Sequence, residues 1–136
     1  TTSQDDDDDD QGGGAAASEE DHGRRIDRET RKVALASQAA VFADILPSYR
    51  LRARTTAERE QRVSKEVLAL KRHEEALLTA YQAYLRLLGR AVRAKPRSPD
   101  LVALATRCLG LLWVERPRFN FCDQVLRSLA ARLDDR

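Results

Sequence analysis

The sequence of 136 residues is poor in the side chains that usually build reactive or cross-linked sites. It has no methionine, two cysteines and two histidines, and 5% of its residues are aromatic. Cys108 and Cys122 offer no disulfide framework, and a structural zinc site needs about four ligands in local pairs. We expect two small apolar side chains, no bound metal and a reducing intracellular compartment. The missing methionine, with Thr1 in first place, suggests a piece of a longer protein.

Motifs for catalysis and nucleotide binding are also missing. No GxGxxG, Walker A, GxSxG or HExxH pattern occurs, and the glycines at 12–14 neither follow a strand nor open a helix. His22 lies in an acidic segment and His73 in a charged helical stretch, so the two are in unrelated contexts. We expect no enzyme activity, no cofactor and no small-molecule ligand. No apolar run approaches the roughly 18 residues of a membrane span, and no signal peptide is present.

Charge is distributed very unevenly along the chain. Residues 1–25 include nine acidic and two basic side chains, a net charge of −7, with six consecutive aspartates at 5–10. Such a segment repels itself and has little to bury, so we predict a disordered acidic low-complexity tail. Residues 26–136 carry 22 basic and 13 acidic side chains, a net charge of +9. The predicted folded part is therefore cationic.

Arginine supplies most of this positive charge, because 20 of the 24 basic residues are arginine. Its planar guanidinium suits bidentate contacts with phosphate or carboxylate. Two explanations stay open: solvated helix faces encoded by a GC-rich gene, or a nucleic-acid role. The candidates for contact with an RNA backbone are Arg54, Arg59, Arg62, Lys95 and Arg97. The aspartate run either solubilises the chain or mimics nucleic acid and shields the basic part.

Helical periodicity predicts an all-α fold, which begins with a helix over about residues 27–46. The inner face of this helix is expected to consist of Val33, Ala36, Ala40, Ala43 and Leu46, with Phe42 beside it. Pro47 ends the helix, because its ring and its missing N–H prevent continuation.

A compact turn, PSYRLR, follows at residues 47–52. Pro47 is expected to fix the direction in which the chain leaves the helix, and Tyr49 to pack between the first and second helices. Arg50 and Arg52 have several possible roles. They bind phosphate, pair with acids of a neighbouring helix, or brace the turn by hydrogen bonds to helix C-terminal carbonyls.

The second predicted helix is long, running from a cap at Thr55 or Thr56 to Leu88 and beyond. Its packing face is expected to consist of Val63, Val67, Leu70, Leu77, Tyr81, Tyr84 and Leu88. Glu74 interrupts this face, and Leu78 and Leu85 widen it afterwards. The C-terminal half is therefore predicted to be buried more deeply, and packing within the chain is favoured over a homodimeric coiled coil.

Two shorter helices are predicted to form an antiparallel hairpin. Ser98 caps the third helix with Pro99 in first place, and the helix ends near Glu115. Asn120 is the expected cap of the fourth helix. The residues expected to shape the hairpin are Trp113, Phe119, Asn120 and Phe121.

The predicted organisation has three parts: the tail at 1–25, the first two helices with their turn at 26–95, and the hairpin at 96–136. The hairpin has the size of one HEAT-type repeat, and a bare αα-hairpin is the simpler alternative. We predict an all-α chain of helical hairpins that begins a HEAT/armadillo-like α-solenoid.

Three blocks together resemble one family. They are VFADILPSYRLR at 41–52, VSKEVLALKRHEEALLTAYQAYLRLL at 63–88, and the hairpin with RFNF at 118–121. In this order and spacing they are similar to the N-terminal conserved region of the nucleolar complex-associated protein 3 family. The first two blocks are the more specific, and the resemblance covers about residues 31–133.

The resemblance implies a non-catalytic scaffold of HEAT-like repeats in the nucleolus, and hence in the nucleus. It implies two partners: another nucleolar complex protein, and precursors of the large ribosomal subunit with their ribosomal RNA. An alternative is a chromatin-associated adaptor that acts with replication-licensing factors at replication origins. No membrane partner is expected.

Overall fold

The computed structural model describes residues 13–93 and 98–134. Its elements are five helices, α1 (Gly13–Ile45), α2 (Thr56–Glu60), α3 (Lys65–Arg93), α4 (Pro99–Glu115) and α5 (Cys122–Leu133). The described residues contain no strand, so the all-α class is confirmed. None of these helices has both the length and the apolar character that crossing a bilayer requires.

The chain divides into two units, Thr1–Arg31 and Lys32–Arg136. The described part of the first unit is the N-terminal portion of α1, whose side chains at 18–31 are all exposed. Helix α1 therefore starts at Gly13, well before the predicted start at residue 27. Alanine, glutamate and arginine are good helix formers, and Glu20 and Arg24 form an i,i+4 ion pair at 3.7 Å. The aspartate run at 5–10 lies outside the described residues.

In the second unit, α1 buries a face other than the predicted one. The buried side chains are Leu35, Ala39, Phe42 and Leu46, whereas Val33 is 65% exposed and Ala36 and Ala40 are exposed too. Phe42 and the two leucines remove more apolar area from water than the alanines would, so they set the rotation of the helix. The prediction was right for Leu46 and wrong for Val33, Ala36 and Ala40.

The long second helix predicted from Thr56 is interrupted and forms α2 and α3. Gln61 leaves the helical region with ψ of 139°, and α2 has no buried residue to hold it in line with α3. Ser64 then opens α3: its Oγ accepts from the Val67 N–H at 3.3 Å, and its carbonyl accepts from the Leu68 N–H at 3.0 Å. A serine that bonds to nearby backbone in this way competes with continuous helix.

The core of the second unit lies where α3 packs against α4 and α5, and α4 against α5. The buried apolar side chains of these elements are Tyr81, Tyr84, Leu85, Leu88, Val92, Val102, Ala105, Cys108, Leu109, Leu112, Phe119 and Val125. Trp113, Phe121 and Leu129 are partly buried against them. The α4–α5 hairpin is present as predicted. One hairpin does not establish a solenoid, which stays a prediction.

An aromatic cluster joins α1, α3 and the segment before α5. The Phe42 ring lies 5.3 Å from that of Tyr81 and 5.1 Å from that of Tyr84, measured between centroids. The Tyr81 ring also lies 5.5 Å from Phe119 and 6.3 Å from Phe121. Such pairs contribute about 0.5–1.5 kcal/mol each beyond their buried area. The two tyrosines thus form a seam between helices.

The polar end of Tyr84 in this cluster is satisfied by α1. The Tyr84 hydroxyl donates to the Leu35 carbonyl at 2.7 Å, and the Cys108 thiol lies 4.0 Å from the same oxygen. Burial raises the pKa of Tyr81 to about 12, and burial also raises the pKa of Tyr84 and of the Cys108 thiol. All three groups are therefore uncharged at neutral pH and fit an apolar core.

Candidate functional site

The turn after α1 is fastened to the hairpin by a single asparagine. The Leu51 N–H donates to Asn120 Oδ1 at 2.8 Å, and Asn120 Nδ2 donates to the Leu51 carbonyl at 2.8 Å. The side-chain amide thus occupies both backbone groups of a residue that is 6% exposed. This pair of bonds brings the PSYRLR turn and the RFNF segment together, two blocks that are 69 positions apart in the sequence.

Asn120 is therefore not the cap of the following helix, as the sequence suggested. The N-cap of α5 is Phe121, in the left-handed conformation with φ of 69° and ψ of 19° and without a side-chain cap bond. A non-glycine residue in this region costs about 1–3 kcal/mol. The Phe121 ring packs near Tyr81, and the preceding Asn120 is held by Leu51, so tertiary contacts maintain the conformation.

The end of α1 is braced by an arginine from the hairpin. Arg116 Nε donates to the Leu46 carbonyl at 2.6 Å, and its Nη1 donates to the Glu115 carbonyl at 2.8 Å. A brace of this kind was one role considered for Arg50 and Arg52. Arg116 fills that role, which the sequence could not assign because it lies 70 positions from its partner.

The remaining predicted residues of the turn face outward. Tyr49 is 63% exposed, so its ring does not pack between helices as predicted. Arg50 is exposed as well. Arg52 pairs with Glu58 of α2, which selects the acid-pairing role among the three considered. Helix α1 ends at Ile45, two residues before Pro47, in agreement with the predicted role of Pro47 as a stop.

Helix α2 begins with a capping box at Thr55. The Thr55 Oγ1 accepts from the Glu58 N–H at 3.2 Å, and the Glu58 carboxylate accepts from the Thr55 N–H at 2.8 Å. The bond with the Arg52 guanidinium, followed by that with the Thr55 backbone, lowers the pKa of Glu58 from 4.5 to about 2. The turn and α2 are thus joined by one carboxylate.

Acid should release this carboxylate. Because the folded pKa of Glu58 lies below its usual 4.5, its contribution is present above pH 4.5 and is lost as the pH falls towards 2. We expect the Glu58 carboxyl carbon to titrate by NMR far below pH 4.5, and amides of α2 to lose protection over the same interval. Arg52→Gln should move the titration upward, whereas Arg59→Gln should leave it in place. A wild-type midpoint near 4.5 would contradict the bond.

The structure describes three of the five residues predicted to contact RNA, and these three differ in exposure. Arg54 is already engaged, because its Nε and Nη2 donate to Glu75 Oε1 at 3.1 and 3.0 Å and its side chain is 16% exposed. Arg59 and Arg62 are exposed. Lys95 and Arg97 lie outside the described residues. The pairing of Arg54 makes it a poor candidate for binding phosphate.

A different set of arginines comes together where α3 meets α5. The groove there has a volume of about 550 Å³ and is lined by Leu85, Arg86, Gly89, Arg90, Arg93, Gln124, Arg127 and Ser128. We call it the arginine groove. All four of its arginines are exposed, and its lining includes no acidic residue. Two grooves around the turn also hold four basic side chains each, but glutamates lie among them.

Sequence reasoning missed this groove, although part of the signal was visible. Arg86, Arg90 and Arg93 follow one another at i, i+4 and i+7, the spacing of one helix face. Their distance from α5 depends on a close approach between Gly89 and Ser128, where a Cβ added to Gly89 would lie 3.4 Å from the Ser128 Oγ. Only the packed structure adds Arg127 as the opposite wall.

Apolar surface remains exposed at two places on α3. At the start of the helix Val63, Val67 and Leu70 are 43%, 42% and 55% exposed, so within this chain the predicted packing face begins only at Leu77. Leu77 is partly buried, and Tyr81, Tyr84 and Leu88 are fully buried. The helices α4 and α5 pack against the later turns of α3, and α2 buries no residue of its own.

The second apolar surface is a groove between α1 and α3 of about 540 Å³. Its lining includes no charged residue and consists of Ser37, Gln38, Val41, Phe42, Ile45, Leu77, Ala80, Ala83, Tyr84 and Leu87. We call it the apolar groove. Val41, Ile45 and Leu87 are 54%, 51% and 44% exposed on its rim. Its small residues would allow another helix to approach closely.

Within residues 13–93 and 98–134, no three side chains of histidine, cysteine, aspartate or glutamate lie together in an arrangement that could hold a metal ion. Both cysteines are free thiols, Cys108 buried and Cys122 half-buried.

Comparison with known proteins supports the family resemblance of the blocks that form the turn and α3. A model of the Nucleolar complex-associated protein family matches residues 15–84, which is half of the chain. The chain belongs to this family. The matched residues include α1, the turn, α2 and most of α3, and hence nearly all of the apolar groove. The arginine groove lies almost entirely beyond the match.

Individual relatives agree with the family. The chain is 39% identical over 109 residues to Nucleolar complex-associated protein 3 of Arabidopsis thaliana, covering 79% of this chain and 13% of that protein. It is 34% identical over 118 residues to Nucleolar complex protein 3 homolog of Danio rerio (77% and 15%), and 32% identical over 108 residues to its Saccharomyces cerevisiae relative (76% and 16%). The chain thus spans about 15% of the length of these relatives. Their names are nucleolar, in agreement with the predicted nucleolar localisation.

Proposed function

We propose that this chain is part of a non-catalytic scaffold that assembles large ribosomal subunits in the nucleolus. Membership of the Nucleolar complex-associated protein family carries this proposal. The described surfaces are consistent with it, because they include two grooves that could bind a partner. The turn and the hairpin of the second unit are joined by the two hydrogen bonds between Leu51 and Asn120.

The partner of this scaffold is proposed to be another nucleolar complex protein, which places a helix in the apolar groove. The groove is lined by side chains of α1 and α3, with Phe42 and Tyr84 buried in it, so it suits the apolar face of a helix. Its uncharged lining contrasts with a chain in which 34% of the residues are charged. The bound helix would cover the exposed rim of the groove, which consists of Val41 and Ile45 on α1 and Leu87 on α3.

The scaffold is also proposed to contact pre-ribosomal RNA through its cationic surface. Residues 26–136 have a net charge of +9, almost all of it from arginine. Phosphate contacts of this kind position a protein on RNA and carry no sequence information. RNA crosslinks in the intact particle are expected after residue 26.

A depletion and rescue experiment tests the proposed function. Cells depleted of the whole protein should first accumulate precursors of the large ribosomal subunit. Rescue with wild type should clear them, and rescue with Val41→Asp plus Ile45→Asp should not, because two carboxylates would line the partner's site. Val33→Asp is the control, since Val33 is 65% exposed on α1 and lies outside the groove.

The outcomes separate the proposals. A block of DNA replication that precedes any accumulation of precursors would contradict the ribosomal role and favour the chromatin adaptor. Full rescue by the Val41→Asp, Ile45→Asp variant would contradict the partner site alone. The expressed amounts of each variant should be compared by immunoblot, so that loss of the protein is not mistaken for loss of its partner.

A further inference from the structure

The arginine groove brings four like charges together without compensation. Among the described residues, no ion pair or hydrogen bond engages Arg86, Arg90, Arg93 or Arg127. Arginines one turn apart on a helix repel each other by a few tenths of a kcal/mol. Around the turn the fold brings acids near such groups: Arg52 pairs with Glu58 and Arg54 with Glu75. The arginine groove differs from the two grooves at the turn because no glutamate lies among its basic side chains.

We propose that the arginine groove binds consecutive phosphate groups of an RNA backbone without reading the base sequence. This inference rests on the RNA contact proposed above and assigns it to a site. Three of the five candidates predicted from the sequence, Arg54, Arg59 and Arg62, precede α3, and the other two, Lys95 and Arg97, follow it. The present proposal assigns the contact to the C-terminal end of α3 and to α5. Guanidinium groups suit this ligand because they bind phosphate oxygens in a bidentate manner.

The geometry of the groove favours an extended polyanion over a single ion. At 1.5 Å per residue, Arg86, Arg90 and Arg93 extend over about 10 Å of α3. Arg127 faces them from α5, and the groove is open along its length with a volume of about 550 Å³. A strand could therefore lie between the two helices with positive charge on both sides.

The floor of the groove suits a backbone better than a base. Leu85, Gly89 and Ser128 are buried, and the lining contains no aromatic side chain on which a base could stack. Gln124 and Ser128 add neutral polar groups beside the arginines. Sequence-independent contact with phosphates is the recognition that these groups can provide.

The test is binding of a fluorescent poly(U) RNA to the 136-residue chain, followed by anisotropy at several salt concentrations. The groove variant carries Arg86→Gln, Arg90→Gln, Arg93→Gln and Arg127→Gln. The control variant has the same net charge but alters exposed arginines near the turn, Arg50→Gln, Arg59→Gln, Arg62→Gln and Arg72→Gln. The aspartates at 5–10 are present in every protein and contribute equally.

We expect the groove variant to bind at least tenfold more weakly and the control variant to change less than about threefold. The slope of log K against log salt should become shallower by about 0.7 for each phosphate contact that is lost. Circular dichroism and thermal unfolding should be unchanged, because all four groove arginines are exposed.

Three other results would each contradict a different part of the proposal: the site, the RNA contact, or the kind of ligand. If both variants weaken equally, the groove is not the site, although the RNA contact stands. If wild type does not bind poly(U) even at low salt, the RNA contact itself fails. If the groove variant loses binding of polyglutamate but keeps binding of poly(U), the groove takes acidic protein segments, and its assignment to RNA is wrong.

Discussion

Phe119→Ala is expected to lower the free energy of unfolding of the chain by about 3–5 kcal/mol. The Phe119 ring is 1% exposed and lies 5.5 Å from the Tyr81 ring, so its removal leaves a cavity in the centre of the aromatic cluster. Domains of this size have a total stability of about 5–15 kcal/mol. The variant should therefore lose a large part of its stability at 25 °C.

Chemical denaturation followed by circular dichroism measures this effect. Leu133→Ala is the matched control, since Leu133 is 81% exposed on α5 and should change stability by less than about 0.5 kcal/mol. The near-ultraviolet signal of the tyrosines should change in Phe119→Ala even where the helices persist. A loss below about 1 kcal/mol would mean that the cluster does not hold the hairpin against α3.

Asn120→Ala is expected to cost about 2–4 kcal/mol and to release the turn from the hairpin. The substitution removes both bonds to Leu51 and leaves an N–H and a carbonyl of a buried residue without their partner, each at about 1–3 kcal/mol. It also removes the support for the left-handed Phe121. The loss should therefore exceed that of an ordinary surface hydrogen bond.

Hydrogen exchange gives this prediction a local readout. The Leu51 amide should be protected in the wild type and should exchange far faster in Asn120→Ala, while amides in the middle of α3 remain protected. Gln61→Ala, which truncates an exposed amide side chain just after α2, should affect neither quantity. Equal protection of Leu51 in both proteins would show that the clamp is not formed in solution.

The sequence predicted the helices of this chain better than their faces. Apolar periodicity indicated α4 and α5, Pro47 indicated where α1 ends, and the predicted cap at Thr55 or Thr56 is Thr55 in the structure. Periodicity assigned the wrong face to α1, because several rotations of an alanine-rich helix look equally apolar. Periodicity also missed the break between α2 and α3. Ser64 can cap a new helix or lie within a continuous one, and the sequence did not show that α2 buries no residue that would keep the helix continuous.

The candidate sites were harder to predict from the sequence than the helices were, for a physical reason. Arginines were visible, but the pairing of each one depends on acids that the fold brings near. Arg54 pairs with Glu75 and is therefore a poor candidate for RNA contact, whereas Arg116 braces the end of α1 by donating to the Leu46 carbonyl. The arginine groove needs α5 to dock beside α3, which no local pattern encodes.

The long-range contacts around the turn also determine the order in which parts of the protein can fold during translation. Leu51 meets Asn120, Leu46 meets Arg116, and Lys32 meets Asp100, each across 68–70 positions of sequence. Translation adds about 5–20 residues per second, so the N-terminal half waits for on the order of several seconds before its partners exist. During that interval the apolar face of α1 is uncovered. A nascent chain of this protein should therefore be a client for chaperones at the ribosome until the hairpin emerges.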